Sequence, residues 1–271
     1  MLNLSSALEV ATATHPGMVR SHNEDSIAAE PEIGLAVLAD GMGGYNAGEV
    51  ASGIAVELIR TELKRVLEEK NPAELNGSGA EALIAEHAVR ANSAIYQAAQ
   101  SQPQYSGMGT TLVVAMWHDN KMSVGHIGDS RLYRLRGDTF EQVTRDHSLL
   151  QEQIDSGMIT KEQARHSQNK NLVTRAVGID PQVEAEVHTY GVEQGDIYLL
   201  CSDGLSDMVS DEDIQLTLSS LHANLQLAAQ QLVQQANDNG GRDNVSVILV
   251  RVARYYPART SWFEKLKSWF G

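Results

Sequence analysis

Three short apolar runs of this chain end in an aspartate that is followed by a small residue. The runs are Leu35–Ala39, Ser123–Gly128 and Ile197–Ser202, and the aspartates that follow them are Asp40, Asp129 and Asp203. A single Asp-Gly or Asp-Ser step after a strand is usually a turn. Because the same pattern occurs three times, we expect the ends of neighbouring strands to bring these carboxylates to one site.

Further acids extend the pattern. Asp243 stands just before the apolar run Val245–Val250, and Glu24 and Asp25 follow an asparagine near the amino terminus. Two carboxylates about 4 Å apart repel by roughly 4 kcal/mol at an effective dielectric constant of about 20, so such a cluster requires cations. Carboxylate and carbonyl oxygens suit Mg²⁺ or Mn²⁺, and the chain lacks the cysteine and histidine spacing typical of zinc sites. We interpret His87, His118 and His188 as structural or solvent-facing.

The periodicity of the chain predicts an α+β fold. Helical spacing covers residues 46–70, about 79–102 and 224–236, and seven apolar runs are predicted strands: 34–39, 110–117, 122–127, 132–135, 183–190, 197–201 and 245–252. A hairpin turn is expected at 136–139. The strands do not alternate steadily with helices, which favours two packed sheets covered by helices over a doubly wound parallel sheet.

The domain prediction is one folded domain over residues 1–254, with a surface flap at about 146–170 and a tail at 255–271. Five apolar residues of the tail fall on one helical face: Trp262, Phe263, Leu266, Trp269 and Phe270. One hypothesis is that this tail docks on a partner protein or at a membrane interface. The alternative is that it folds back on its own domain.

Charge and cysteine content restrict the partners and the compartment. A formal net charge of -14 argues against binding of nucleic acid, which needs a basic face. Cys201 is the only cysteine, so no disulfide can form within the chain and a reducing cytoplasm is expected. No apolar run approaches the roughly 20 residues needed to span a bilayer. We expect a monomer.

A series of motifs in a fixed order carries a family resemblance. They are Arg20–Ser26, Asp40–Gly44, Gly109–Thr111, Gly128–Arg131, Asn171–Gly178, Ser202–Leu205 and Gly240–Asn244. Together, over residues 8–252, they resemble the metal-dependent protein phosphatase family (PPM, protein phosphatase type 2C), especially its bacterial members. The resemblance implies a central sandwich of two antiparallel β-sheets flanked by pairs of α-helices.

The resemblance also implies a metal site with two core Mn²⁺ or Mg²⁺ ions and a third, weaker one. Asp40 would bridge the two core ions, with the carbonyl of Gly41 on the second. Asp203 and Asp243 would hold the first ion, Glu24 the second, and Asp129 with Asp203 the third. Asp25 and Asn244 would support these ligands.

The implied activity is hydrolysis of phosphoserine and phosphothreonine in proteins, the products of a Ser/Thr kinase, by a water that bridges two metal ions. Arg20 would bind two phosphate oxygens with its planar guanidinium group. Some relatives carry a histidine proposed as the acid at the position of Met42; here a metal-bound water or another residue, such as His147, must supply the proton. The alternative function is that of a pseudophosphatase that binds phosphoproteins or a partner without turnover.

Overall fold

The structure is a computed structural model that describes residues 3–44, 47–69, 78–160, 163 and 172–257. The described residues form eleven strands. They are β1 Leu8–His15, β2 Asp25–Glu30, β3 Leu35–Met42, β4 Gly109–Thr110, β5 Leu112–His118, β6 Lys121–Ile127, β7 Arg131–Arg136, β8 Thr139–Gln142, β9 Glu186–Gly191, β10 Ile197–Cys201 and β11 Val245–Val252.

Six α-helices accompany the strands in the described part of the chain. They are α1 Ala47–Glu69, α2 Gly79–Ser101, α3 Leu149–Asp155, α4 Asp203–Ser206, α5 Asp211–Ser220 and α6 Leu225–Asp238. Three of these helices begin at a polar residue that accepts a backbone N–H, which satisfies a donor that the first turn leaves unpaired. These caps are Ser148, Ser210 and Asn224.

The strands form two sheets in which neighbours run antiparallel. One sheet has the order β1-β11-β10-β7-β8, and the other has the order β2-β3-β5-β6-β9 with β4 paired to β3. The two sheets pack face to face. Helices α1 and α2 cover the second sheet, and α5 and α6 cover the first. The predicted α+β sandwich flanked by helix pairs is therefore confirmed.

Burial on both faces explains why the central strands are apolar at almost every position. In β3, Val37 and Ala39 pack under the helices while Ala36 and Leu38 face the other sheet. Since successive side chains of a strand point to opposite faces, a strand between two covered layers needs apolar residues on both. The strands that the sequence did not predict are β1, β2 and β8, whose exposed or half-buried residues interrupt the apolar pattern.

The three long predicted helices and the hairpin turn at 136–139 are present close to their predicted bounds. Arg136 pairs with Thr139 across the turn, and Gly137 takes a positive φ of 55°. Of the predicted flap, residues 146–160 and 163 are described and contain α3; the rest lies outside the described residues. So does the aromatic part of the tail, 258–271. None of the described helices is long and apolar enough to cross a membrane.

Candidate metal centre

The sandwich gathers the predicted aspartates at one end. Asp40 lies near the end of β3, Asp129 and Asp203 follow β6 and β10, and Asp243 precedes β11. Burial raises the pKa of Asp40 well above its usual range, and the charges of nearby carboxylates raise it further. These carboxylates are Asp25, Asp203, Asp129 and Asp243. The sequence segments that hold them are far apart, so the fold has produced a concentrated negative site.

The other aspartates of this acidic cluster are affected in the same way. Burial first, and then the charges of neighbouring aspartates, raise the pKa of Asp203 well above its usual range. The pKa of Asp129 is raised to about 6 by burial and by the charge of Asp146. Asp207 also acts on Asp203, and its backbone N–H donates to the Asp203 carbonyl at 2.8 Å. Asp146 and Asp207 were not predicted, because neither follows a strand with the Asp-Gly or Asp-Ser signal.

Two threonines fix the backbone of Asp40. Its N–H donates to Oγ1 of Thr111 at 3.0 Å, and its carbonyl accepts from the N–H of Thr111 at 2.8 Å and from Oγ1 of Thr110 at 2.9 Å. The hydroxyl of Thr111 also lies 2.7 Å from that of Ser130, next to Asp129. The Gly109–Thr111 motif therefore ties two of the acidic loops together.

A close contact between backbones brings Glu24 to Gly41. The N–H of Gly41 donates to the Glu24 carbonyl at 3.1 Å. A Cβ added at Gly41 would lie 2.1 Å from the carbonyl oxygen of Gly48, so only glycine fits against the start of α1. Burial raises the pKa of Glu24, although the charge of Arg20 and a hydrogen bond from the Gly48 backbone oppose that shift.

Asn244 holds the amino-terminal loop against the cluster. Its Oδ1 accepts from the Glu24 N–H at 2.8 Å, and its Nδ2 donates to the carbonyls of Pro16 at 3.0 Å and His22 at 2.8 Å. The position of Glu24 thus depends on a residue more than 200 positions away. This contact places Asn244 where it can orient the loop without itself presenting a charge.

Asp25 sits behind Asp40, opposite it in the β2–β3 pair. Its Oδ2 accepts from the Ser202 hydroxyl at 2.8 Å, while its Oδ1 is buried and has no hydrogen-bond donor among the described residues. Burial raises the pKa of Asp25 to about 6. An unpaired buried carboxylate oxygen is costly, and a nearby cation would reduce that cost.

Arg20 extends over the cluster from the amino-terminal loop. Its Nη2 donates to Oδ2 of Asp243 at 2.8 Å, and half of its side chain remains exposed. An exposed ion pair of this kind contributes little to stability, so the guanidinium group can exchange this partner for another anion at small cost.

A cavity of about 410 Å³ opens beside Asp129 and Asp203. Asp146 and Asp207 also line it, together with Arg131. Arg131 is committed to its neighbours, because its Nε and Nη2 both donate to Asp146 and its Nη1 donates to the Tyr133 hydroxyl. The cavity therefore gives solvent-sized molecules and small groups access to the negative side of the cluster.

The donor set fits hard divalent cations. The predicted ligands are all oxygens, from four aspartates, one glutamate and the carbonyl beside Asp40. Such oxygens are the ligands that Mg²⁺ and Mn²⁺ prefer. The raised pKa values and the unpaired Oδ1 of Asp25 are both relieved when positive charge enters the cluster.

A second group of potential ligands was not predicted. His126, His147 and Glu186 each offer one ligand atom, and these atoms lie within 4.8 Å of one another. They come from β6, from the loop before α3 and from β9. No local spacing connects them, so the only signal available in the sequence was that His126 is a polar residue within a strand that is otherwise buried and mostly apolar. The ring nitrogens of His147 face Gly128 and Glu186.

Comparison with known proteins gives consistent matches. Residues 19–240 match the sequence profile of the family described as Protein phosphatase 2C. The Listeria innocua protein named serine/threonine phosphatase stp is 36% identical over 240 residues, which are 88% of this chain and 93% of that relative. The crystal structure of the Mycobacterium tuberculosis serine/threonine phosphatase PstP/Ppp matches with a TM-score of 0.81 and 36% identity, covering 91% of this chain and 99% of the other. The catalytic domain of serine threonine protein phosphatase PstP in complex with two manganese ions gives a TM-score of 0.79 and 37% identity over the same shares.

Proposed function

We propose, on the premise that this chain belongs to the protein phosphatase 2C family, that the acidic cluster around Asp40 is its catalytic metal site. The chain is a metal-dependent protein phosphatase that acts on phosphoserine and phosphothreonine, with Mn²⁺ or Mg²⁺ as cofactor. The assignment of individual residues rests mainly on one observation. Four other aspartates, drawn from separate segments, act together on the pKa of Asp40.

The residues proposed to hold the two core ions are Glu24, Asp40, Asp203 and Asp243 with the carbonyl of Gly41. Asp40 has a central place among them because its backbone is fixed by three hydrogen bonds to Thr110 and Thr111. When bound, divalent ions supply positive charge for the phosphoryl oxygens and lower the pKa of a coordinated water to near neutrality. Asn244 and Asp25 keep Glu24 and Asp40 in position through the contacts described above.

Arg20 is proposed to bind the phosphoryl group of the substrate. The planar guanidinium group can donate two parallel hydrogen bonds to a phosphate, which a lysine cannot reproduce. Its exposure and its weak surface pairing with Asp243 support an exchange from that carboxylate to the substrate. Binding of ions to Asp243 would favour this exchange, because the carboxylate then has less charge to offer Arg20.

Proton supply to the leaving oxygen falls to water. Met42 lies in β3 opposite Gly109 and has no proton to donate. Nδ1 of His147 accepts from the N–H of Gly128, and its Nε2 faces Glu186, so both nitrogens point to partners outside the acidic cluster. The cavity beside Asp129 has room for the water that would take this part.

Asp129 is proposed to bind the third, weaker ion together with Asp203. The two carboxylates line the same cavity, and after burial the charge of Asp129 is the largest cause of the raised pKa of Asp203. We also propose that the catalytic domain extends through Tyr256, two residues past the predicted boundary. Tyr256 is buried, and its hydroxyl donates to the carbonyl of Lys121 at 3.1 Å.

We also propose that the enzyme is a monomer. A reducing cytoplasm is supported by the single, buried Cys201, which forms no disulfide within the chain. The substrates would be phosphoproteins made by a Ser/Thr kinase, and the segment after residue 257 would dock on a partner or membrane surface.

The test is release of phosphate from a phosphothreonine peptide by the full chain. We expect release that requires Mn²⁺ or Mg²⁺ and stops when EDTA removes the ions. A control with a phosphotyrosine peptide of the same sequence measures selectivity for the hydroxyl type. Equal phosphate release with and without EDTA would refute the metal-dependent mechanism.

A further inference from the structure

The group formed by His126, His147 and Glu186 lies between the second sheet and the loop that carries Asp129. His126 stands opposite Glu186 in the β6–β9 pair. The two imidazole rings are stacked, with centroids 4.7 Å apart and planes at 20°. Both histidines are buried, whereas the Glu186 side chain is about one third exposed and gives the group an opening to solvent.

The hydrogen bonds of His126 leave one ring nitrogen with a lone pair. Nε2 donates to the backbone carbonyl of Arg145 at 2.7 Å. In the neutral ring the hydrogen is therefore on Nε2, and Nδ1 carries no hydrogen. Burial lowers the pKa of His126 and favours this neutral form, while the backbone of Glu186 favours the charged form. Histidines that bind metals commonly donate their other N–H to a backbone carbonyl, as His126 does.

The partners of His147 are weaker. Nδ1 accepts from the N–H of Gly128 at 3.2 Å, and Nε2 lies 3.4 Å from Oε2 of Glu186. Burial lowers the pKa of His147 and so favours its neutral form, while the hydrogen bond to Glu186 opposes that shift. Oε1 of Glu186 is held by Nε2 of His188 at 2.9 Å, which leaves Oε2 directed at His147.

We propose that Nδ1 of His126, Nε2 of His147 and Oε2 of Glu186 bind one borderline transition-metal ion, such as Zn²⁺, separately from the catalytic cluster. Two neutral imidazoles and one carboxylate are a ligand set that suits zinc, with a water in the fourth position. Two ligand atoms about 2.1 Å from one ion lie at most about 4.2 Å apart, so atoms that lie within 4.8 Å of one another need only a small adjustment to bind it. His147 is the residue that adjusts, because its contacts are longer than the 2.7 Å bond that holds His126.

Binding at this site has a consequence for Asp129. When the lone pair of Nε2 binds an ion, a neutral His147 must carry its hydrogen on Nδ1. In the structure, Nδ1 accepts a hydrogen bond from the N–H of Gly128. Two N–H groups would then face each other, so the hydrogen bond between Gly128 and His147 must break. Since Gly128 precedes Asp129, an ion here loosens the loop that carries a proposed ligand of the third ion. This consequence rests on the proposed role of Asp129, whereas binding of zinc does not.

The test is a Zn²⁺ titration of the full chain in buffer that holds excess Mn²⁺, with bound zinc measured after dialysis. We expect one zinc per chain in the natural protein and in Asp40→Asn. In Glu186→Gln the affinity should fall by more than the roughly 10- to 100-fold that follows loss of an outer partner of a metal ligand. Glu186→Gln suits the test because the side chain is partly exposed and the change keeps its shape, and His147→Asn provides a second variant. His222→Asn, at an exposed histidine on the other side of the first sheet, is the matched control.

The outcomes separate the possibilities. Zinc binding that is unchanged in Glu186→Gln and His147→Asn would overturn the proposal, and zinc lost in Asp40→Asn would assign the ion to the catalytic cluster instead. Absence of any retained zinc would also overturn the proposal, because the histidine group would then bind no zinc ion. Because bound zinc is measured without substrate, the zinc result does not depend on the outcome of the phosphatase assay. Where zinc binds, it should lower Mn²⁺-supported phosphate release in the natural protein and leave release by Glu186→Gln unaffected.

Discussion

The acidic cluster and the histidine group adjoin the same short loop, Gly128–Ser130, but their buried polar groups are stabilised in opposite ways. In the acidic cluster, like charges raise one another's pKa values, and Oδ1 of Asp25 has no donor among the described residues. In the histidine group, two neutral rings and one carboxylate are paired through hydrogen bonds with the Arg145 carbonyl, the Gly128 N–H and the His188 ring. The first therefore depends on cations for its stability, whereas the second is stable without an ion and changes its bonding when one binds.

Asp40→Asn should have the largest effect and should act in opposite directions on activity and stability. We expect Mn²⁺-dependent phosphate release to fall by more than about 100-fold, since even outer partners of a metal ligand matter by about 10- to 100-fold. Without metal, the variant should be more stable than the natural protein, because it removes a carboxyl group whose ionised form is disfavoured by burial and by the charges of the neighbouring aspartates. Phosphate release and urea unfolding in EDTA measure the two effects. Asp138→Asn, at the exposed hairpin turn, is the control and should change neither; an Asp40→Asn protein that keeps its activity would contradict the assignment.

Arg20→Ala should come next, with an effect on substrate binding more than on turnover. Loss of hydrogen bonds to a charged group, at about 1.5 to 3 kcal/mol, predicts a KM that rises about 10- to 100-fold while kcat falls less. Steady-state kinetics with a phosphothreonine peptide give both constants, and Arg65→Ala on helix α1 serves as the control. A fall in kcat at constant KM would argue against a phosphate-binding role. Arg20→Lys should recover only part of the loss, because an ammonium group cannot make the paired contact.

The pH dependence of stability should distinguish the two regions by its sign. Asp25 and Asp129 have folded pKa values of about 6, above the roughly 3.9 of an unfolded aspartate. Their contribution is therefore complete below about pH 4 and is lost as the pH rises through 6. We expect Mn²⁺ to raise the melting temperature more at pH 7.5 than at pH 4.5, as measured by thermal unfolding. An equal rise at both values would contradict the raised pKa values.

Glu186 should behave in the reverse manner. Although burial opposes it, the hydrogen bond from His188 lowers the pKa of Glu186. The stability that this carboxylate contributes is present at neutral pH and is lost as the pH falls through its folded pKa. The difference in unfolding free energy between the natural protein and Glu186→Gln should therefore shrink on acidification. A difference that grows on acidification would contradict the lowered pKa of Glu186.

Ser202→Ala should give the smallest effect and tests how finely the acidic cluster is supported. Its hydroxyl donates to Asp25 and accepts from the N–H of Ser246 at 3.0 Å. Removing it leaves a buried N–H without that acceptor, which costs about 1–3 kcal/mol, and should lower activity only a few-fold. Urea unfolding and phosphate release in Mn²⁺ measure both, with Ser93→Ala on helix α2 as the control. A complete loss of activity in a folded Ser202→Ala protein would show that Ser202 has a larger role than support of Asp25.

The fold was predictable from the sequence where strands are covered on both faces. Runs such as 34–39 and 197–201 are apolar throughout because helices lie on one side and the other sheet on the opposite side. Strands at the edges carry exposed residues, and β1 and β8 gave no such signal. Asp40, Asp129 and Asp203 were predictable because each follows an apolar run, whereas Asp146 and Asp207 enter the site only through the fold.

The sequence by itself determined which chemistry is possible: oxygen ligands placed at strand ends, and one arginine near them. The tertiary structure decided which of those groups meet, since the antiparallel order of the strands sets which ends are neighbours. It also created the histidine group, whose members are separated by up to 60 residues and share no motif. The physical reason is that local pattern reports burial and turn chemistry within a few residues, while charge repulsion and ligand geometry depend on distances that only packing fixes.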